Sequence, residues 1–308
     1  MTASTVLTAP GRPRREKSAT LFRMLLRDRF ATVSAIFLLI LVAAAVIGPF
    51  FLWDAATDMN LRNRNLAPFS MDQGFAYILG ADSLGRSMVA RLIVGAQASL
   101  AISSGAVLLA MTLGGLIGIF AGYVGGWTST LIMRLTDIII SFPGLLLALI
   151  VLYIIGPSLV NVVVILAIGA LPLYIRTARA ETLEIRERMF VSAARTLGVG
   201  TFAIVVRHIL PLVAPTLTTV AAINFAGVIL AESGLSFLGL GIQPPDFTWG
   251  AMVASGRQYL QTAWWLSFFP GLMIMMTTLS LNLMANWLRT VTDPQQRWRL
   301  SINRENRR

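Results

Sequence analysis

Of the residues that could do covalent or metal chemistry, this chain of 308 holds one lysine, one histidine and no cysteine. Loops that cradle nucleotide phosphates commonly follow their glycines with a lysine that reaches the phosphate oxygens. The only lysine is Lys17, inside the basic stretch RPRREKSATLFRMLLRDR at 12–29, where no such loop precedes it. His208 has neither a carboxylate nor a second histidine close in sequence, so it reads as an interfacial polar residue rather than a metal ligand or general base. The lack of cysteine removes disulfides, thiolate metal sites and a thiol nucleophile. No Gly-x-Ser-x-Gly elbow and no HExxH pattern occurs. The expectation is a chain that is not an enzyme, holds no cofactor and carries no nucleotide-phosphate loop of its own.

The polar residues that remain suggest passage and coupling instead. Asn224, Val228, Ala231 and Glu232 share one broad helical stripe, and Glu232 opens the segment ESGLSFLGLG together with Ser233 and Ser236. A carboxylate there either lines a pathway or faces an outer partner, or else hydrogen-bonds within its own loop. LSFLGLGIQPP is too apolar for a free loop and is expected to pack as a cap over the outer pathway. The second notable stretch is SAARTLGVGTFAIVVRHILP at 192–211. Ile185, Met189, Ala193 and Leu197 recur every fourth residue, with Glu184, Glu187, Arg188, Ser192 and Arg195 between them, which predicts an amphipathic helix over 185–198. Gly198 is placed to end it in a left-handed cap, and Thr201 to cap the helix that follows. Such a hairpin either grips a partner or rests on lipid.

What must hold these groups is a membrane-spanning bundle. The chain is 56% hydrophobic and only 13% charged, too few charges for a soluble surface. Uncharged runs cover 30–53, 92–133, 138–175, 209–231 and 258–288. A spanning helix needs ~20 apolar residues. The third run holds the end of one span and all of another, broken at Gly156-Pro157, which gives six helices at about 31–52, 98–123, from Thr130 through a kink at Pro143, 159–175, 211–231 and 265–288. The runs are continuous rather than alternating, which favours helices over a barrel. The run after the basic leader is too long for a signal peptide and reads as a retained first helix.

The net charge of +11 is a topological signal rather than a nucleic-acid one. Of 25 Lys and Arg, 20 fall in 1–29, at Arg134, in 176–207 and in 289–308, all on one side of a six-span chain. The positive-inside bias puts that side, with both termini, in the cytoplasm, where anionic lipid is a secondary partner. The organisation expected is a leader 1–29, a first span and outer segment 30–91, a five-helix core 92–290 with a cytoplasmic loop 176–210, and a tail 291–308. Gly114, Gly118 and Gly122 let another helix approach closely, within this subunit or from a second one. Arg134 and Asp137 read as an interfacial pair.

The hairpin then resembles the coupling-loop signature of ABC importer permeases through Ala193, Ala194, Gly198 and Ile209-Leu210-Pro211. LGADSLGRSMVARLIVGAQASL (79–100), AGYVGGWTSTLIMRLTDIIISFPGLLLAL (121–149), ESGLSFLGLGIQPPDFTWGAMV (232–253) and GRQYLQTAWWLSFFPG (256–271) are similar to the DppC/OppC-type permease. The resemblance covers about 20 to 297. It implies an all-α polytopic permease of the type I importer fold in the bacterial cell membrane, one of two membrane subunits of a dipeptide, oligopeptide or nickel importer. It also implies the partners: a homologous DppB/OppB-type permease, two ATP-binding subunits, an extracytoplasmic solute-binding protein and a peptide substrate. The ATPase contact is then expected at Met189, Ser192, Ala193, Ala194, Arg195 and Gly198, and the pathway or outer gate at Asn224, Glu232, Ser233 and Ser236. Ser192 departs from the family's usual glutamate and Asn286 from a frequent aspartate. The alternatives are an ion-coupled secondary transporter, which would need a mid-membrane ionisable group and inverted repeats that are not evident, or an importer permease for nickel or another small solute.

Overall fold

The computed structural model describes residues 24–26, 28–70 and 74–292. Lys17, Ser301, Asp293-Pro294 and nearly all of the expected leader and tail lie outside the described residues. Among the described residues the regular structure is helical, apart from one isolated bridge between Ala81 and Ser87. The main helices are α1 (Arg29–Thr57), α2 (Met88–Val124), α3 (Gly126–Ser141), α4 (Gly144–Ile155), α5 (Leu159–Arg186), α6 (Met189–Thr196), α7 (Thr201–Phe237), α8 (Trp249–Gly256) and α9 (Trp265–Thr292). Side-chain caps start four of them: Asp28 accepts from the amides of Phe30 and Ala31, and Ser87, Ser158 and Thr248 do the same for α2, α5 and α8.

Helices α1, α2, α5, α7 and α9 are each long and apolar enough to cross a bilayer. The pair α3–α4 makes a sixth span only if its two helices, bent by 85°, count as one. The sequence reading expected one kinked helix from Thr130; the break is complete, and α3 starts earlier, at Gly126. Phe142 is extended because the ring of Pro143 disfavours the helical region for the residue before it.

Two other boundaries move for physical reasons. Helix α2 begins ten residues ahead of its expected start because Arg91, which looked like a boundary charge, is buried and paired. Helix α7 runs through Leu210-Pro211 without a break, where separate helices were expected. A π-turn over Val205–Ile209 widens the helix immediately before the proline and makes room for its ring.

The three glycines of α2 press against α5. A Cβ on Gly118 would lie 2.5 Å from the Ile175 carbonyl oxygen, one on Gly114 2.8 Å from Tyr174 Cβ, and one on Gly122 2.7 Å from Thr182 Cβ. The stripe therefore serves packing inside this subunit. Two apolar cores result. The inner one gathers the later part of α2 with α4, α5, α6 and α7 from Ile204 to Leu235, and reaches Ile242. The outer one gathers α1, the start of α2, the segment around Phe247 and Trp249, and the start of α9.

Candidate functional site

The first candidate is the hairpin between α5 and α7. The expected helix over 185–198 is divided: Ile185 and Arg186 still belong to α5, the chain turns at Glu187 and Arg188, and α6 begins at Met189. Helix α5 therefore runs past its expected end at 175, and Arg186 ties its last turn to α2. Its Nη1 donates to the carbonyls of Gly122 (3.0 Å) and Tyr123 (3.4 Å), so the end of α5 caps the end of α2. Helix α6 closes as expected at Gly198, whose φ is +75°. Val199 N donates to Ala194 O and Gly198 N to Arg195 O, the Schellman pattern that consumes the last free carbonyls. Gly200, not Thr201, is the N-cap of the following helix.

The two faces of α6 differ sharply. Val191 and Ala194 point into the inner core with Ile204. Met189, Ser192, Ala193, Arg195, Leu197 and Gly198 are exposed. Met189 is 89% accessible, Leu197 83% and, across the turn, Phe202 81%. The fourfold repeat therefore did not mark one buried stripe: Ile185 faces the core, while its three partners face out. Of the six expected ATPase-contact residues, Ala194 alone is turned away from the open surface, because its small side chain fills the seat of α6 on the bundle. The Arg195 guanidinium lies over the Tyr123 ring at 5.1 Å, and Phe190 packs on His208 with ring centroids 6.2 Å apart.

The second candidate, at the opposite end of α7, is a polar chain under a folded-back segment. Glu232 is 1% accessible. Ser236 Oγ donates to Glu232 Oε1 at 2.7 Å, and Ser233 Oγ lies 3.5 Å from Oε2. Since Ser236 gives its proton to the carboxylate, the Thr248 hydroxyl 3.2 Å away must donate to Ser236, while it accepts from Ala251 N as the cap of α8. The Glu232 carboxylate is thus buried and bonded to two serines of its own helix, with Thr248 reaching it through Ser236. A Cβ on Gly250 would lie 2.6 Å from Ser233 Cα, so only glycine lets this segment sit so close to α7. Asn224, by contrast, is half-buried between helices and accepts a hydrogen bond from the Tyr174 hydroxyl at 3.3 Å.

Sequence reasoning missed the residues that fix this end of the bundle. Trp249 is fully buried; its amide donates to Ser99 Oγ at 3.1 Å and its indole N–H to Leu92 O at 2.9 Å. Asp82 accepts from the amides of Leu84 and Arg86 and pairs with the Arg86 guanidinium at 2.6 Å. Arg91 lies 3.6 Å from the same carboxylate, donates to Ala56 O, and stacks 4.1 Å from the Phe247 ring centroid. A usable signal existed in Thr248-Trp249, a cap residue before an apolar turn. Asp137 pairs with Arg176 at 2.7 Å, not with Arg134, because α3 crosses α5 at that point.

Residues 114–298 match the family model described as the binding-protein-dependent transport system inner membrane component. The chain belongs to this permease family. Residues 19–68 also match the N-terminal transmembrane domain of oligopeptide transport permease C, which makes this a permease of the DppC/OppC type. It is 39% identical to the di/tripeptide transport system permease protein DppC of Pseudomonas aeruginosa, across 84% of this chain and 86% of that one. The glutathione transport system permease protein GsiD of Pectobacterium atrosepticum is 36% identical over 89% and 90%, and the dipeptide permease DppC of Alkalihalophilus pseudofirmus 34% over 90% and 89%. Permeases of this family are multi-pass inner-membrane transport subunits, not enzymes, and work with a partner permease, ATPases and a binding protein.

Proposed function

We propose that this permease imports short peptides as one of two homologous membrane subunits, receiving them from an extracytoplasmic binding protein and driven by two ATP-binding subunits. It carries no cofactor and no ATP site of its own. Six spans, with α3–α4 as one of them, put both termini and the hairpin in the cytoplasm; the distribution of Lys and Arg supports that side. The peptide substrate is supported by relatives whose names specify di- and tripeptides, dipeptides and glutathione.

The observation that carries the reading is the outward row of Met189, Leu197 and Phe202 on a hairpin whose other face is anchored. Soluble surfaces seldom present three such apolar side chains around one turn. Ser192, Ala193, Arg195 and Gly198 flank the row, and the whole patch would seat in an ATPase groove; each apolar side chain covered contributes about 1.5–3 kcal/mol. Ala194 supports the contact from behind. Asn224, beside Tyr174, borders the path between α5 and α7, while Glu232, Ser233 and Ser236 hold the outer gate shut from within this subunit.

The test is co-purification of the ATPase subunits with Met189→Ser/Leu197→Ser. Capture is expected to fall at least tenfold while the partner permease is retained. Full capture with full peptide uptake would refute the docking role.

A further inference from the structure

One polar-walled cavity adjoins Arg86, Arg91 and Ser236. It lies at the outer end, has a volume of about 260 Å³, and is walled by the start of α2, the segment 239–247 and α8. Arg86 and Arg91 line one side, Ile242 and Phe247 supply an apolar wall, and Asp246 and Ser255 stand at the exposed rim. The charges are not balanced locally. Asp82 is bound closely by Arg86 at 2.6 Å, whereas Arg91 reaches it only at 3.6 Å, so two guanidiniums share one carboxylate. Bonds to the protein use Nε and Nη2 of Arg86 and Nε and Nη1 of Arg91, which leaves N–H donors on both for a ligand. Asp246 is exposed and forms no ion pair with a described residue.

Two donors for a carboxylate, one acceptor for an ammonium and an apolar wall match a small zwitterion with a side chain. The volume is just below the ~300–1,000 Å³ of drug-sized sites. It suits a dipeptide better than a protein surface, which would bury about 800 Å² on a broader and flatter face.

We propose that this cavity is an entry subsite for the free ends of a short peptide. Arg86 and Arg91 take the α-carboxylate, Asp246 takes the α-ammonium, and a side chain rests on Phe247. The assignment rests on the peptide reading above and adds that the permease itself reads both termini, apart from any selection by the binding protein.

The experiment uses the whole transporter, with partner permease and ATPases, in lipid nanodiscs without binding protein. Saturation-transfer NMR is recorded with Ala-Phe and with N-acetyl-Ala-Phe-amide, which lacks both charges. Ala-Phe should give a signal and the blocked peptide at least a tenfold weaker one. Asp246→Asn, which removes the rim charge, and Ser255→Trp, which fills the mouth, should each lower the Ala-Phe signal at least fivefold. Equal signals from the two peptides, or no loss in either variant, overturn the proposal. So does a variant that loses capture of the binding protein while keeping the Ala-Phe signal, because the cavity would then be a docking socket. If the wild-type transporter with its binding protein moves no peptide, the peptide reading fails instead. If it moves peptide and both variants keep the signal, only the subsite fails.

Discussion

The two ends of this permease handle exposed chemistry in opposite ways. At the end that carries α8 the buried groups around α7 satisfy one another: Trp249 uses both its N–H groups, and Glu232 receives a directed chain of hydroxyls. At the hairpin end the backbone is equally well closed, with Arg186 capping α2 and a Schellman turn ending α6, yet the side chains are not. Met189, Leu197 and Phe202 stand in the open. Backbone order combined with uncovered apolar side chains marks a surface built in advance for a partner, since a rigid contact loses less entropy on docking. A self-satisfied polar core marks a part that must hold its shape alone.

The comparison breaks completely if the two ends share a side of the membrane. Single cysteines at Ser192 and Ser70, in a protein with no native cysteine, should label from opposite faces, Ser192 from the cytoplasm. Labelling of both from one face would end the six-span topology. Next in size is Trp249→Ala. It opens a cavity and strands the Leu92 carbonyl that accepts from the indole N–H, costing about 3–5 kcal/mol. A lowered unfolding midpoint of the purified subunit is the readout, and an unshifted midpoint would show that the outer end is not self-supporting.

The inner end is sharpened by neighbouring substitutions. Ala194→Arg drives a charge into the seat of α6 and should cost about 2–4 kcal/mol in the subunit itself, visible as protease sensitivity of the hairpin. Ala193→Arg, on the open side, should leave stability within about 0.5 kcal/mol but weaken ATPase capture. If both behave alike, the two-faced description of α6 is wrong. The smallest effect is expected for Ser192→Glu. An exposed carboxylate in the first turn of α6 favours the helix dipole by about 0.3–1 kcal/mol, and uptake should stay near wild type.

How much of this could be read beforehand depended on which force set each feature. The apolar runs gave the spans, because a bilayer imposes length on sequence. Gly198 announced its turn, and the glycine stripe its close contact, because both follow from the missing Cβ. Boundaries set by tertiary partners were hidden. Arg91 read as the edge of a helix until Asp82 and Phe247 were brought to it by folding. Pro211 read as a stop, although the widened turn before it lets the helix continue. Ile185 reads as one stripe with Met189, Ala193 and Leu197, but the turn at Glu187 and Arg188 places it on a different helix from the other three.

Helix α7 has a mechanical consequence. From Thr201 in the hairpin to Phe237 under the outer segment it is one rod of 37 residues, about 55 Å long. A rod pivoted near its middle cannot displace one end alone. A tilt of about 10° carries the two tips roughly 5 Å each, in opposite senses, at 1.5 Å of rise per residue. Were α7 to pivot in that way, a load at the hairpin would reach Glu232 and Ser236 reversed in direction, without a chain of intermediate contacts to relay it.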